Sequence, residues 1–353
     1  MMKKNIDQID ASILICPECK QRSITLEPSA HCTNPNCKKT FPIWDEIPSL
    51  FDRKTDEITQ HFPDRRMEGL TTQDIINNAI YNWSHIFSDC DRENFEKDIA
   101  FDYHIDAVEG TLPDSFFRLS TPSTGRILEI GTGTGVDGRK LAHYNPNFDY
   151  YGVDLGFAIY PCQRSSKKRS NQRYIRASAL SLPFADASFD IVYSYGVFHH
   201  TPDPYKAFSE AIRVLKPGGH FCTYLYEKHE NNALKRIPLT LIESLHVLTR
   251  RLSHKQLKLL CYLISPAVLL LLSYPAQILK KTPKLKLLGN KFPYHHGTTP
   301  KSILGDLMDR FGASINYRFS KEEFANLFRQ NKIAQFKITK MNDRAGYVGF
   351  CSK

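Results

Sequence analysis

Short apolar runs alternate with a helical pattern in the central part of the chain. The run 126–130 ends in glycines, and 136–144 then carries apolar residues at helical spacing. Alternating strands and helices predict an α/β fold, a Rossmann-like parallel sheet with helices on both faces, built from 121–227 and completed by 298–353. The predicted strands include 126–130, 150–154, 188–194, 221–226, 335–339 and 346–351.

A different pattern follows the fifth strand, where residues 228–297 are predicted as a helical insert. Residues 259–279 contain no charged side chain, which by length alone would permit a membrane span. Pro266 and Pro275 fall within this run, and we expect them to interrupt it. A buried cap core, an interfacial element at a membrane and a true span remain open as interpretations.

The net charge of +10 is concentrated in the same region. Residues 228–291 hold twelve of the 47 basic residues and two of the 37 acidic ones, so 35 of each sign remain elsewhere. Such a segment suits an anionic membrane surface or RNA phosphates. An apolar content of 41% excludes a disordered chain, and the N-terminus lacks the apolar stretch of a signal peptide. We expect a cytoplasmic protein, with peripheral contact at the inner membrane face as an option.

Four of the nine cysteines form two close pairs near the N-terminus. Four thiolates at this spacing predict a closed tetrahedral Zn²⁺ site with a structural role. The segment that follows, with Phe41-Pro42 and Ile47-Pro48, resembles the end of the Trm112 family ribbon. Residues 1–52 are therefore predicted as a zinc ribbon, and 53–120 as a linker and helical lid near Tyr81 and Trp83. The predicted metal ligands are Cys16, Cys19, Cys32 and Cys37.

A glycine-rich turn, residues 131–135, follows the first central strand. Glycines at alternate positions allow the backbone to approach a ligand at a helix N-terminus. A dinucleotide fingerprint counted from the strand end fails because Val136 stands where the third glycine belongs. Asp154 ends the second strand, where its carboxylate could accept hydrogen bonds from both ribose hydroxyls.

Together with the segments 174–184, 188–194 and 213–221, these motifs resemble the class I S-adenosylmethionine-dependent methyltransferases of the type 11 group. The resemblance implies that S-adenosylmethionine is the cofactor. It departs from the family at Ser178, where aspartate is usual, although serine can also form hydrogen bonds. The implied cofactor-binding residues are Glu129, Gly131, Thr132, Gly133, Gly135, Asp154, Leu155, Ser178, Ala179 and Ser194.

His199 and His200 follow the fourth strand, where a general base could stand if the acceptor is a hydroxyl or an activated carbon. A purely structural role for one of them is the alternative. The favoured acceptor is a small, apolar or membrane-associated metabolite that is methylated at oxygen or carbon. Methylation of a ribosomal RNA base, and a non-catalytic cofactor-binding scaffold, are the competing hypotheses.

Overall fold

A computed structural model describes residues 5–51, 123–133, 135–166, 171–230, 252–292, 300–313, 315–341 and 345–353, together with Arg236 and Thr249. The predicted linker and lid at 53–120, including Tyr81 and Trp83, lie outside the described residues.

The N-terminal segment consists of short elements. Helix α1 (Asn5–Gln8) and a 3-10 turn (Ala11–Ile13) precede two small antiparallel sheets. Strand β1 (Ile24–Thr25) pairs with β2 (His31–Cys32), and β3 (Ile43–Trp44) pairs with β4 (Ile47–Pro48). Strands this short bury little surface, so they depend on other contacts for stability.

A seven-stranded mixed sheet forms the centre of the protein, in the order β7-β6-β5-β8-β9-β11-β10. The strand β11 runs antiparallel to both of its neighbours, and the other described pairs are parallel. This topology confirms the Rossmann-like fold, and β10 and β11 form an antiparallel hairpin at one edge of the sheet. The strands are β5 (Gly125–Ile130), β6 (Phe148–Asp154), β7 (Gln172–Arg176), β8 (Phe189–Tyr195), β9 (Leu215–Tyr226), β10 (Phe336–Lys340) and β11 (Gly346–Ser352).

Alternate residues of the central strands point into two separate hydrophobic clusters. Leu128 and Tyr151 belong to one cluster, whereas their neighbours Ile127 and Tyr150 belong to the other. Because successive side chains of a strand face opposite sides, the sheet is covered on both faces, as predicted. The helices that follow the strands are α2 (Val136–Tyr144), α3 (Ile159–Ser166) and α4 (Pro204–Val214), and α9 (Lys321–Gln330) precedes the closing hairpin.

Local capping explains where two of these helices begin. The Asp203 carboxylate accepts from the backbone N–H of Lys206 at 2.9 Å, and Pro204 occupies the first turn of α4. Ser320 and Glu323 form a reciprocal capping box at the start of α9. The sequence predicts this second cap, and the structure confirms it.

The N-terminal segment packs directly against the seven-stranded sheet. Ile13, Leu14 and Leu50 join the same hydrophobic cluster as strands β5 and β6. Asn5 bonds both backbone groups of Tyr174 on the edge strand β7, at 2.8 and 3.0 Å. These contacts satisfy polar groups that an edge strand otherwise leaves unpaired.

One continuous helical rod follows β9 among the described residues. It comprises α5 (His254–Val268), a π-helical turn (Leu269–Ser273) and α6 (Tyr274–Lys281). A 3-10 turn (Pro283–Leu285), α7 (Lys286–Gly289) and α8 (Pro300–Gly312) come next. The segment Lys255–Lys281 is long and apolar enough to cross a membrane, with a mean hydropathy of 1.9, and 28% of its apolar window is buried.

The expectation that Pro266 and Pro275 interrupt this helix is wrong. The hydroxyl of Ser265 donates to the Tyr262 carbonyl at 3.0 Å, which is the carbonyl that the missing N–H of Pro266 would have bonded. The π-helical turn ends two residues before Pro275 and changes the hydrogen-bond register there. Alternative partners and a local register change therefore keep the rod helical.

Candidate functional site

The sequence-predicted cofactor residues meet at one edge of the large sheet. Strand β5 lies between β6 and β8, so the strand order reverses beside it. In open α/β sheets, the crevice at the carboxyl ends of such strands is where ligands bind. The ends of β5, β6 and β8 bring Gly131, Asp154 and Gly196 to this crevice.

The glycine-rich turn connects β5 to α2 through left-handed backbone conformations. Gly131 and Gly135 have φ angles of +77° and +72°, a region that favours glycine. A Cβ atom at Gly131 would collide with Val197, and one at Gly135 would collide with Cys162. Packing within the protein, as well as space for a ligand, therefore requires glycine at these two positions.

The Asp154 carboxylate is held at the tip of β6 by backbone amides. Its Oδ2 accepts from Gly133 N–H at 2.8 Å, and its Oδ1 accepts from Gly156 N–H at 2.7 Å. Burial raises the pKa of Asp154, while these two N–H groups favour the ionised form. The carboxylate is thus fixed beside the glycine turn, and its remaining acceptor positions could bind hydroxyl groups of a ligand.

Glu129 lies deeper, beneath the turn. Its Oε2 accepts from the Thr132 hydroxyl at 2.9 Å and from the Tyr150 hydroxyl, and the residue is 4% exposed. Burial raises the pKa of Glu129 to about 8, and the Asp137 carboxyl adds to this shift. At neutral pH, Glu129 is therefore protonated in most protein molecules. Its side chain supports the glycine turn from below.

Substituting glutamine for Glu129 should flatten the pH dependence of stability. The folded-state pKa of about 8 lies above the ordinary glutamate value of 4.5, so the folded protein holds this proton more tightly than the unfolded chain does. The stabilisation is complete below pH ~4.5 and disappears as the pH rises through about 8. As the pH is raised across this range, the melting temperature should fall less for Glu129→Gln than for the wild type.

Glu322→Gln, the same change at an exposed carboxylate, serves as the control and should keep the wild-type slope. Identical slopes for Glu129→Gln and the wild type would contradict the assigned pKa.

The other predicted cofactor residues occupy different positions around the crevice. Ser178 is buried, and its hydroxyl accepts from the Leu180 N–H at 3.2 Å. Ala179 is partly buried beside it, and Leu155 follows Asp154 directly. Ser194 is fully buried and donates to the Ile130 carbonyl at 3.1 Å, so it joins β8 to β5 from within the sheet.

Arg176 is a site residue to which sequence reasoning assigns no role. Its Nε donates to the Leu155 carbonyl at 2.8 Å, and its guanidinium lies 4.5 Å from the ring centroid of Phe157 and 5.1 Å from that of Phe51. The backbone N–H of Leu50 also donates to the Arg176 carbonyl at 2.8 Å. The N-terminal segment thereby contributes an aromatic ring to the rim beside Asp154. The sequence signal, a basic residue at the end of a strand, is too common to identify it.

His199 and His200 lie in a 3-10 turn after β8 (Phe198–His200). His199 is 0% exposed, and its ring centroid is 4.0 Å from that of Tyr226. Burial lowers the pKa of His199 well below its usual value, so the ring is neutral. His200 is partly exposed, and its Nδ1 lies 2.8 Å from the Ile315 carbonyl oxygen. A carbonyl can only accept, so Nδ1 carries the proton and the lone pair of the neutral ring is on Nε2.

The four predicted metal ligands converge on one point. The Sγ atoms of Cys16, Cys19, Cys32 and Cys37 all lie within 4.8 Å of one another. Cys16 and Cys37 are 3.8 Å apart at sulfur, and Cys19 and Cys32 are 3.7 Å apart. Four ligands at a Zn–S distance of about 2.3 Å around a tetrahedral ion would be separated by roughly 3.8 Å. The cluster therefore fits a closed tetrahedral site.

Comparison with known families places these features in context. Residues 128–223 match the model of the methyltransferase domain family. The matched range begins in β5 and ends in β9, so it includes the glycine turn, Asp154 and the histidine pair. This part of the chain is thus similar to methyltransferase domains, and it folds as a Rossmann-like sheet.

Three curated relatives illustrate the breadth of the similarity. An uncharacterised methyltransferase of Mycobacterium sp. (strain JLS) is 36% identical over 28% of this chain and 38% of its own. The demethylmenaquinone methyltransferase of Roseiflexus castenholzii is 38% identical over 28% of this chain and 41% of its own. The sterol 24-C-methyltransferase of Schizosaccharomyces pombe is 26% identical over 50% of this chain and 47% of its own. The chain thus spans less than half the length of each of these relatives.

Proposed function

We propose that the protein transfers a methyl group from S-adenosylmethionine to a small apolar metabolite, at oxygen or carbon. The observation that carries this proposal is the placement of the Asp154 carboxylate against the glycine turn at the strand-order reversal. The match to the methyltransferase domain family over the same residues supports it.

The residues present fit this cofactor. Asp154 would accept hydrogen bonds from the ribose hydroxyls, and Ser178 and Ala179 would lie along the adenine. The glycine turn and the buried acidic residue Glu129 below it would border the methionine portion. When bound, the cofactor supplies a sulfonium-activated methyl group that is open to in-line attack. The protein's main task is then to hold the acceptor in line and to exclude water.

His200 is our candidate for the general base. The carbonyl of Ile315 accepts from Nδ1 and orients the ring, so Nε2 is the nitrogen that would take a proton from the acceptor as the new bond forms. His199, the other member of the predicted catalytic pair, is buried against Tyr226 and would hold the turn in place.

The names of two similar enzymes and the apolar rod support an apolar acceptor. Two of the similar enzymes carry names that refer to a sterol and to demethylmenaquinone, both largely apolar molecules. The long apolar helix lies in the same chain. RNA methylation is the second candidate, favoured by the basic surplus at 228–291. A non-catalytic scaffold would bind the cofactor and methylate nothing.

We further propose that the N-terminal segment is a Trm112-like zinc ribbon. The tetrahedral spacing of its four sulfur atoms supports zinc as the metal. With four protein ligands the ion would have no open position, so it would stabilise the fold and take no part in methyl transfer. We place the protein in the cytoplasm, with peripheral contact at the inner face of the membrane.

A transfer experiment tests the proposed activity. The protein is incubated with methyl-labelled S-adenosylmethionine and, in separate reactions, with lipid extract, polar metabolite extract and total RNA. We expect label in the lipid fraction, and a loss of about a hundredfold or more for His200→Ala with unchanged cofactor binding. The exposed His143→Ala is the matched control and should retain activity. Label confined to RNA would favour the second candidate, and label in no fraction would favour the scaffold.

A further inference from the structure

We propose that the helical rod 254–281 docks in the plane of an anionic lipid bilayer through one exposed apolar face. This inference rests on the peripheral membrane contact proposed above and identifies the surface and the type of lipid that would make it. The apolar face is defined by large hydrophobic residues that are between 40% and 70% exposed. They are Leu259, Tyr262, Leu263, Leu270, Leu271, Tyr274 and Ile278.

These residues form a single stripe along the rod. Pro266 and Ala267 are also exposed and lie between Leu263 and Leu270. With them, exposed apolar positions recur three or four residues apart from Leu259 to Ile278, which is the spacing of one helix face. At about 1.5 Å per residue, the stripe is roughly 28 Å long. Solvent-exposed apolar patches of this extent are rare on soluble proteins and mark surfaces that bind something apolar.

The opposite side of the rod is already covered by protein. Leu257 and Cys261 pack with Ile303 and Leu307 of helix α8 in a separate hydrophobic cluster. The exposed stripe therefore remains as the side available to a partner. A rod that is buried along one side and apolar along the other has the geometry of a helix lying in a membrane interface.

Charge at the ends of the stripe identifies the partner. Residues 252–292 contain seven lysines and no acidic residue. Lys255 lies one helical turn before Leu259, and Lys281 lies one turn after Ile278, so both lie at the ends of the apolar face. Lysines that flank an apolar face match anionic headgroups above buried acyl chains. A purely phosphate-binding groove would gain nothing from the leucines.

The covering helix argues against a membrane span. If the rod crossed the bilayer, α8 would have to enter it as well, and the α8 sequence carries Asp306, Asp309 and Arg310. Charged residues are costly within the hydrocarbon core. Docking in the plane leaves α8 on the aqueous side and buries only the exposed stripe.

The chain connects this surface to the candidate active site. Phe311 belongs to the cluster beneath the rod, and four residues later the Ile315 carbonyl contacts His200. Four residues span at most about 14 Å. Docking would therefore bring the proposed base close to the membrane surface, where an apolar acceptor would be dissolved.

Vesicle cosedimentation tests the proposal with the full-length protein. We expect the wild type to sediment with phosphatidylcholine vesicles that contain phosphatidylglycerol, and not with phosphatidylcholine alone. Leu270→Glu with Leu271→Glu should lower partitioning by at least tenfold, since each leucine loses its burial in lipid. Replacement of four lysines by glutamate should also abolish vesicle binding, since each lysine contributes about fivefold or more to the partition coefficient. The four are Lys280, Lys281, Lys284 and Lys286.

Ala334→Glu with Gln335→Glu is the matched control. It adds the same two negative charges at exposed positions far along the sequence, and should bind vesicles like the wild type. Calorimetry with S-adenosylmethionine on every variant separates the two proposals, because vesicle binding without cofactor binding would overturn methyl transfer and leave docking intact. If the Leu270/Leu271 variant fails to fold, Leu259→Glu with Leu263→Glu decides by the same criteria.

Wild-type partitioning by a folded leucine variant would overturn the proposal. The proposal would also be overturned if the wild type did not bind anionic vesicles but bound RNA. In that case the logarithm of the RNA-binding constant should fall linearly with the logarithm of the salt concentration.

Discussion

Replacing Cys16 and Cys19 with serine should release one zinc ion per chain and lower the melting temperature by about 6–12 °C. Apparent zinc-binding free energies of such sites are about 10–16 kcal/mol, and they supply the folding energy of small ribbons. Loss of the ribbon would uncover Leu14 and Leu50, both 0% exposed, at roughly 1.5 kcal/mol or more each. For a chain of this size, each kcal/mol shifts the melting temperature by about 2–4 °C.

The same substitution should weaken cofactor binding, because Phe51 and the Leu50 N–H both contact Arg176 at the rim of the crevice. Metal content by plasma emission and melting by calorimetry provide the measurements. Cys261→Ala, a buried cysteine outside the ribbon, is the control and should retain zinc. A double variant that keeps its metal, or that loses metal with no change in melting temperature, would contradict this account of the ribbon.

Asp154→Ala should weaken S-adenosylmethionine binding by about 10- to 100-fold. Charge-assisted hydrogen bonds contribute about 1.5–3 kcal/mol, and this carboxylate is the proposed acceptor for the ribose hydroxyls. The alanine would also leave the N–H groups of Gly133 and Gly156 without the acceptor that shapes the turn. Both effects act in the same direction on cofactor affinity.

Asp186→Ala removes a carboxylate whose side chain is 78% exposed, and should bind the cofactor like the wild type. Asp154→Asn keeps one acceptor oxygen, so its affinity for the cofactor should lie between those of Asp154→Ala and Asp186→Ala. Equal affinities for Asp154→Ala and Asp186→Ala would remove Asp154 from the cofactor site.

The parts of the fold that depend on local sequence follow well from pattern. The strand, glycine turn and helix at 126–144 are adjacent in the chain, and the apolar spacing alone predicts them. The capping box at Ser320 is equally local. The four cysteines are predictable as a cluster because metal ligation imposes a recognisable spacing.

Contacts between distant segments are not predictable in this way. Nothing in the spacing of residues near Asn5 indicates that its side chain bonds Tyr174, which lies 169 residues further along the chain. The stacking of Arg176 with Phe51 likewise depends on how the N-terminal segment packs against β7. The rod continues through Pro266, where the hydroxyl of Ser265 bonds the carbonyl of Tyr262, a contact that a rule based on proline alone does not consider.

Parallel calorimetric titrations of the wild-type protein with S-adenosylmethionine and with NAD test the central claim most directly. Both ligands contain an adenosine with ribose hydroxyls, so a carboxylate at the end of the second strand could serve either. The glycine turn lacks the third glycine of the dinucleotide fingerprint, because Val136 occupies that position. We predict one S-adenosylmethionine site per chain and no measurable binding of NAD. Binding of NAD without binding of S-adenosylmethionine would contradict the account.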